Sequence, residues 1–86
     1  MIDFEKIVQL CSLRTFNKSC AWNVAKCYFP NCSFIKNNLK SKNAGYDIYD
    51  VLDPEGNYTN QYVCDLDIRL ELNFSNGGSK NVWIGE

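Results

Sequence analysis

The 86-residue sequence contains no histidine, only two prolines and no apolar run of the length that crosses a membrane. Without histidine, the chain lacks the commonest general base and the commonest imidazole ligand for a metal. A membrane-spanning helix needs about 18 consecutive apolar residues, and residues 1–6 lack the basic start and apolar stretch of a signal peptide. We therefore expect a cytoplasmic protein with no membrane segment, no catalytic site, no metal site and no cofactor.

The cysteines also lack the spacing of a metal site. There are five of them, at Cys11, Cys20, Cys27, Cys32 and Cys64. An odd number argues against a disulfide framework, and the CxxC pair that normally begins a zinc site is missing. Zinc held by the first four thiols is an alternative, but we expect reduced thiols that pack as small hydrophobic groups. Cys20 is the one candidate nucleophile, and no histidine can activate it.

Carboxylates are then the remaining candidates for acid–base chemistry. Asp65 and Asp67 lie two apart on a predicted strand, on a face where they would stay ionised and solvated. Asp47, Asp50 and Asp53 could gather with Asp65 around a divalent cation, but the spacing of an EF-hand is absent. We therefore expect that the protein is not an enzyme.

Size and composition predict one domain that spans residues 1–86. A chain of this length can fill one hydrophobic core but not two. Hydrophobic residues make up 45% of the chain and aromatic residues 14%, which is enough for a compact core without a metal or a disulfide.

The clearest pattern runs from Tyr62 to Phe74. The apolar positions alternate with mostly polar ones and are Tyr62, Cys64, Leu66, Ile68, Leu70, Leu72 and Phe74. Such alternation predicts an antiparallel strand with one face on a core and one face in water. A typical strand has about 5–6 residues, so we expect this longer one to bend or to pair with different neighbours at its two ends.

Two helices are predicted before this strand. An apolar spacing of i, i+3, i+4 and i+7 begins at Phe4 and indicates a helix over about residues 2–13. Asn17 or Ser19 can begin a second helix, which Pro30 ends because the residue before a proline avoids helical angles. The second helix carries large aromatic side chains that we expect to anchor it on a sheet.

The remaining segments predict turns and short strands. Residues 46–52 are dense in strand formers, and residues 53–57 (DPEGN) have the proline and glycine of a hairpin turn. Residues 75–79 form a second predicted turn, before a last strand at 81–84. The Asn-rich and Lys-rich stretch at 31–45 is expected to be loop, apart from a short edge strand at Phe34 and Ile35.

The predicted fold class is α+β. Two N-terminal helices would pack on a three-stranded antiparallel meander, or on a four-stranded one if the edge strand forms. The helices would cover the face that bears Leu66, Ile68, Leu70 and Leu72, and the opposite face would be open to solvent.

Charge is distributed unevenly along the chain. Residues 1–43 carry seven cations and two anions, a net charge of +5, and residues 44–86 carry two cations and eight anions, a net charge of −6. Such asymmetry indicates either a charged partner or a basic helical layer attracted to an acidic sheet.

The solvated sheet face is predicted to be acidic and to bind a partner. Its carboxylates are Asp65, Asp67, Glu71, Asp47 and Asp50. An acidic face would complement a basic surface on a larger protein, including one that normally holds nucleic acid. We therefore expect a small non-enzymatic binding protein that inhibits or modulates such a partner.

Two alternatives use other parts of the chain. Lys36, Lys40 and Lys42 lie in a basic, amide-rich segment that could contact the phosphates of RNA or single-stranded DNA, although three lysines are a modest supply. The other alternative is a self-associating structural component, such as a homodimer joined through an unpaired sheet edge.

In its general character the chain looks like many small proteins of phages and mobile elements, including anti-CRISPR and other anti-defence inhibitors. The likeness rests on short length, eleven asparagines and the lack of histidine and catalytic residues. No motif carries it, so no site residue follows from it. It implies an inhibitor of a host defence or nucleic-acid enzyme that acts in the cytoplasm of a bacterial host.

Overall fold

The computed structural model describes residues 12–85, and within that range the chain forms six strands and two helices. In chain order they are β1 (Ser12–Thr15), α1 (Lys18–Tyr28), β2 (Ser33–Lys36), α2 (Asn38–Ala44), β3 (Asp47–Leu52), β4 (Tyr58–Asp65), β5 (Arg69–Asn73) and β6 (Ser79–Ile84). The strands form one sheet in the order β1-β6-β5-β4-β3-β2. β1 runs parallel to β6, and every other neighbouring pair is antiparallel. The predicted pair of N-terminal helices on a three- or four-stranded meander is therefore wrong.

The first predicted helix gives way to a strand at its end. Residues 2–11 of that prediction lie outside the described range, but Ser12–Thr15 is β1 and pairs with β6. The backbone of β6 offers these four residues a hydrogen-bonded partner, and the Gly85 N–H donates to the Thr15 carbonyl at 2.8 Å. Strand pairing therefore overrides the helical spacing that the sequence continues to Leu13.

The predicted long strand is two strands, β4 and β5, joined by a tight turn. The Leu66 N–H donates to the Arg69 carbonyl at 3.0 Å, with Asp67 and Ile68 at the tip of the turn. Ile68 was predicted to be in the core, but its side chain is 58% exposed. The apolar alternation therefore does not follow one continuous face.

The turn also changes which residues share a face. Val63 pairs with Leu72, and Cys64 pairs with Glu71. Residues directly opposite one another in an antiparallel pair point to the same face. Val63 and Leu72 are fully buried in the core, so Cys64 and Glu71 lie on the opposite face. In one continuous strand, Cys64 and Leu72 would have shared a face.

Helix α1 confirms the second predicted helix. The Asn17 side chain accepts a hydrogen bond from the Cys20 N–H at 3.0 Å, which caps the N-terminus, and Pro30 lies just beyond the C-terminus. Ala21 and Ala25 are fully buried because their small side chains let the helix approach the sheet closely. The fully buried large side chains beneath the helix come from four strands and are Val51, Val63, Leu70, Leu72 and Val82.

Aromatic rings complete the contact between α1 and the sheet. Trp22 meets the rings of Phe34 and Tyr49 edge-on, with centroids 5.2 and 5.0 Å apart. Phe29 meets the Phe34 ring edge-on at 6.0 Å and the Phe74 ring at a tilt of 43° and a distance of 5.6 Å. The expectation that large aromatic side chains anchor this helix on the sheet is confirmed. The edge-on ring pairs add stabilisation beyond that of the apolar area they bury.

Both predicted glycine-containing turns are confirmed. In the turn between β3 and β4, the Asp53 N–H donates to the Asn57 carbonyl at 2.9 Å, and Gly56 has a φ of 86°. In the turn between β5 and β6, Gly77 has a φ of 88°. Glycine adopts this left-handed conformation without steric cost, which is why the sequence signals these turns.

Helix α2 was predicted to be loop. Its N-cap is Asn37, whose side chain accepts from the Lys40 N–H at 3.0 Å, and Gly45 ends it with a φ of 84°. The Ser41 hydroxyl accepts a hydrogen bond from the Ile48 N–H at 2.8 Å, and the Asn37 N–H donates to the Ile48 carbonyl at 2.8 Å. These bonds fix α2 beside β3. Neither helix of the described residues combines the length and the apolar character that crossing a bilayer requires.

Candidate functional site

The three carboxylates of the predicted long strand lie in three different places. Asp65 lies on the α1 side of the sheet, where the Lys18 ammonium donates to it at 2.6 Å. Asp67 is exposed at the tip of the β4–β5 turn, and Glu71 lies on the opposite face from α1. The expectation that they share one solvated face is wrong, because the turn separates them. Their role in binding a partner stays a prediction.

The other predicted site residues meet around α2 and β3. Lys36 lies 3.2 Å from Asp47, and Lys40 lies 3.5 Å from Asp50. Lys42 lies in the last turn of α2. The sequence assigned these lysines and these aspartates to two separate surfaces, one basic and one acidic. The structure joins them in a single surface of mixed charge.

A polar recess of about 380 Å³ opens on this surface, and we call it the Asp50 recess. It is lined by Asn37, Lys40, Asp50, Tyr58, Asn60, Gln61 and Tyr62. Asp50 and Tyr62 are directly opposite each other on β3 and β4 and therefore share a face. The preceding residue, Tyr49, contacts α1, so the recess lies on the side of the sheet that faces away from α1.

Asp50 is the buried polar group of the recess. Its residue is only 5% exposed, and its two carboxylate oxygens have different partners. Oδ2 accepts from the Asn37 amide at 2.9 Å, and Oδ1 faces the Lys40 ammonium at 3.5 Å. A buried carboxylate is costly unless it is hydrogen-bonded or paired, so these contacts hold it in place. The contact to Lys40 is long, which leaves Oδ1 able to accept a stronger hydrogen bond.

An irregularity in the β3–β4 pairing shapes the side of the recess that β4 provides. The register shifts between Asp50 and Leu52, and Asn60 adopts a left-handed conformation with a φ of 61°. Asparagine tolerates this conformation better than most residues. The Thr59 hydroxyl donates to the Val51 carbonyl at 2.9 Å and fixes the bulged segment. Bulges redirect side chains, and this one places Tyr58 and the amides of Asn60 and Gln61 in the lining of the recess.

Lys40 lies over this recess and is only loosely held there. Its ammonium is 5.4 Å from the centroid of the Tyr62 ring, a cation–π distance. Its side chain is 54% exposed. A half-exposed lysine with one long contact can be exchanged for another cation at little cost, because the buried Asp50 carboxylate then stays paired.

Exposed apolar side chains recur along the stretch of chain that builds the recess. Six large hydrophobic residues are exposed within the described range, and four of them lie between β2 and the start of β4. These four are Ile35, Leu39, Tyr46 and Tyr58. Ile35 is directly opposite Asp50 in the β2–β3 pair, and Tyr58 lines the recess. We call these four residues, together with α2 and the Asp50 recess, the α2 surface.

The thiols do not form a second site in the described part of the chain. Cys20, Cys27, Cys32 and Cys64 are free, and no group of three or more potential ligands among residues 12–85 could hold a metal ion. Burial, and then the nearby Glu71, raise the pKa of the Cys64 thiol. Burial also raises the pKa of Cys32. A raised thiol pKa lowers the fraction of reactive thiolate. Cys11 lies outside the described residues.

Sequence reasoning missed Asn37, Asn60, Gln61 and Tyr62 as lining residues. The Asn37 cap could have been found, because Gly45 lies eight residues later in the position of a helix-ending glycine. Nothing in the sequence signals the bulge that positions Asn60 and Gln61. No protein-family model, curated protein or solved structure matches this chain.

Proposed function

We propose that this chain is a small non-enzymatic binding protein that modulates a larger protein, and that the α2 surface makes the contact. The observation that supports this proposal is that four of the six exposed large hydrophobic residues of the described chain lie on or beside the elements that build the polar recess. Several apolar groups exposed beside one polar recess are more typical of interaction sites than single exposed hydrophobic residues, which are common everywhere.

The chemistry of this surface supports recognition of a protein. Tyrosines supply large contact area at low entropic cost, and Tyr58 is 70% exposed beside the recess. A partner with a basic surface suits the buried Asp50 carboxylate. Inhibition of a nucleic-acid-handling enzyme is the form of modulation that we propose, because such enzymes present basic grooves.

The test begins by capturing partners with the tagged full chain from the organism that encodes it. The captured protein is then purified and titrated by calorimetry against Leu39→Ala and Tyr58→Ala. Each substitution should weaken binding by about tenfold, since exposed anchors carry much of the energy of an interface. Ile68→Ala is the matched control, because Ile68 is an exposed apolar residue at a distant turn.

Two outcomes would contradict the proposal. One is an equal loss of affinity for Ile68→Ala and for the two α2-surface variants. The other is a partner that the chain modifies chemically, which would show an enzyme. Circular dichroism of each variant establishes that the fold is intact.

A second candidate function is binding of single-stranded nucleic acid by the same surface. It is supported by the position of Lys40 above the Tyr62 ring, with Lys36 and Lys42 nearby. Two of these three lysines already face carboxylates, which lowers the local positive charge. This function predicts salt-sensitive binding of labelled RNA in fluorescence anisotropy, and no binding at low salt would exclude it.

A further inference from the structure

We propose that the Asp50 recess is a receptor for one arginine side chain of a protein partner, and that Lys40 occupies the recess until that side chain displaces it. The inference rests on the proposed function and names the chemical group that the α2 surface recognises.

The lining residues match the surface of a guanidinium group. Asp50 supplies a carboxylate at the floor, and Tyr58 and Tyr62 supply aromatic rings. Asn60 and Gln61 add amide groups at the rim. Guanidinium is planar, stacks on aromatic rings and donates several hydrogen bonds in one plane, so it can use the carboxylate, the rings and the amides together. A compact ammonium group would use fewer of them.

The contacts of Lys40 show that a cation fits this position. Its ammonium faces Asp50 Oδ1 at 3.5 Å and the Tyr62 ring at 5.4 Å. The same two groups would contact an incoming guanidinium. The second carboxylate oxygen is already held by the Asn37 amide at 2.9 Å, so the carboxylate stays oriented when Lys40 leaves. Lys40 therefore competes with the ligand but does not build the site.

The floor of the recess disfavours an anionic ligand. A phosphate or a carboxylate that entered the recess would approach the buried Asp50, and one half-exposed lysine would offset that repulsion only in part. The recess therefore favours a basic side chain over the phosphate of a nucleotide.

The test is a titration of the full-length chain with Nα-acetyl-arginine amide, followed by the NMR signals of the backbone and of the side-chain amides. The expected result is shifts at the Asn37, Asn60 and Gln61 side chains with millimolar affinity. Nα-acetyl-lysine amide should bind more weakly, and adenosine monophosphate and inorganic phosphate should cause no shifts there.

Two pairs of variants make the test specific. Lys40→Ala should bind the arginine amide about threefold more tightly, because the competing cation is gone. Lys42→Ala removes the same charge from the same helix but does not line the recess, so its affinity should stay unchanged. Asp50→Asn should weaken binding about tenfold, whereas Asp47→Asn should not.

Several results would overturn the proposal. One is the absence of shifts with the arginine amide in both the wild type and Lys40→Ala. Another is stronger shifts with phosphate or the nucleotide. A third is an equal gain in affinity for the arginine amide in Lys40→Ala and Lys42→Ala. If Asp50→Asn fails to fold, the comparison of the two lysine variants still decides. If the arginine titration fails while Leu39→Ala and Tyr58→Ala weaken partner binding, then only the arginine receptor is wrong. If those two variants have no effect on partner binding, the proposed function itself is wrong.

Discussion

Asp50 links the stability of the molecule to its candidate site. The residue is 5% exposed, and its partners are Asn37 at the start of α2 and Lys40 one turn later. Because the chain has buried this carboxylate, its hydrogen bonds must compensate for the water that it has lost. The same contacts fix α2 over the recess, so loss of the carboxylate should be measurable in both folding and binding.

We predict that Asp50→Ala lowers the free energy of unfolding by about 1–3 kcal/mol, the usual cost when a buried hydrogen-bonding group loses its partner. Asp47→Ala is the control, since Asp47 is half-exposed and its ion pair with Lys36 should contribute less than about 1 kcal/mol. Urea denaturation at neutral pH measures both values. Equal losses of unfolding free energy for Asp50→Ala and Asp47→Ala would show that the Asp50 contacts do not stabilise the fold more than a surface ion pair does.

The buried thiol of Cys64 should limit stability at alkaline pH. Burial, followed by the charge of Glu71, raises the pKa of this thiol above its ordinary value. An unfolded thiol ionises near pH about 8.5. Because the folded pKa is the higher one, the contribution of Cys64 is fully present below the unfolded pKa and is lost as the pH rises through the folded pKa.

Urea denaturation from about pH 7 to pH 10 should therefore show a constant stability that declines above about pH 8.5. Cys64→Ala should show a shallower decline, but not a flat one, because burial also raises the pKa values of Tyr28 and Cys32. A variant whose stability falls as steeply as that of the wild type would show that Cys64 is not the cause.

At the scale of elements, the β4–β5 hairpin determines the face on which each side chain lies. Leu70 pairs with Asp65 across the turn and is fully buried, whereas Ile68 is exposed at the tip. In a single continuous strand, Ile68 and Leu70 would share the core face. Substitutions at Ile68 and Leu70 therefore distinguish the hairpin from a continuous strand.

We expect Leu70→Ala to lower the free energy of unfolding by about 2–5 kcal/mol, because it leaves a cavity in the core. Ile68→Ala should change it by about 0.5 kcal/mol or less, as is usual for exposed positions. Chemical denaturation of the two variants side by side provides the comparison. A loss for Ile68→Ala as large as that for Leu70→Ala would support the continuous strand instead.

These elements differ in how clearly the sequence signals them. Helix α1 has a capping asparagine and a terminal proline, and the two confirmed turns contain glycines with positive φ. The turn at Asp67 and Ile68 contains neither glycine nor proline. The apolar alternation on both sides of it therefore predicts one strand. Helix α2 has only seven residues and no apolar stripe, and its hydrogen bonds to β3 hold it in place.

The candidate site was predictable only in part, for a related reason. Lys40 and Asp50 are both predicted from the sequence to bind a partner, but their charges suggest opposite surfaces. Ten positions separate them, and only the folding of α2 beside β3 brings them together. The register shift that exposes Asn60 and Gln61 depends on pairing between strands, which one sequence does not show.

At the scale of the whole molecule, the opposite charges of the two halves are brought together within the fold. Lys18 pairs with Asp65, Lys36 with Asp47, and Lys40 with Asp50. Each pair joins a lysine from the basic first half to a carboxylate from the acidic second half. The uneven charge along the chain is therefore partly explained by internal pairing, and the proposed binding function uses a mixed surface with one buried carboxylate.

Hydrogen–deuterium exchange of the complex with its captured partner is the measurement that tests this assignment most directly. We predict that binding slows amide exchange in residues 37–44 and 58–62, which belong to the α2 surface, and leaves residues 66–68 and helix α1 unchanged. Slower exchange in α1 or at the β4–β5 turn, with α2 and the start of β4 unaffected, would contradict the account.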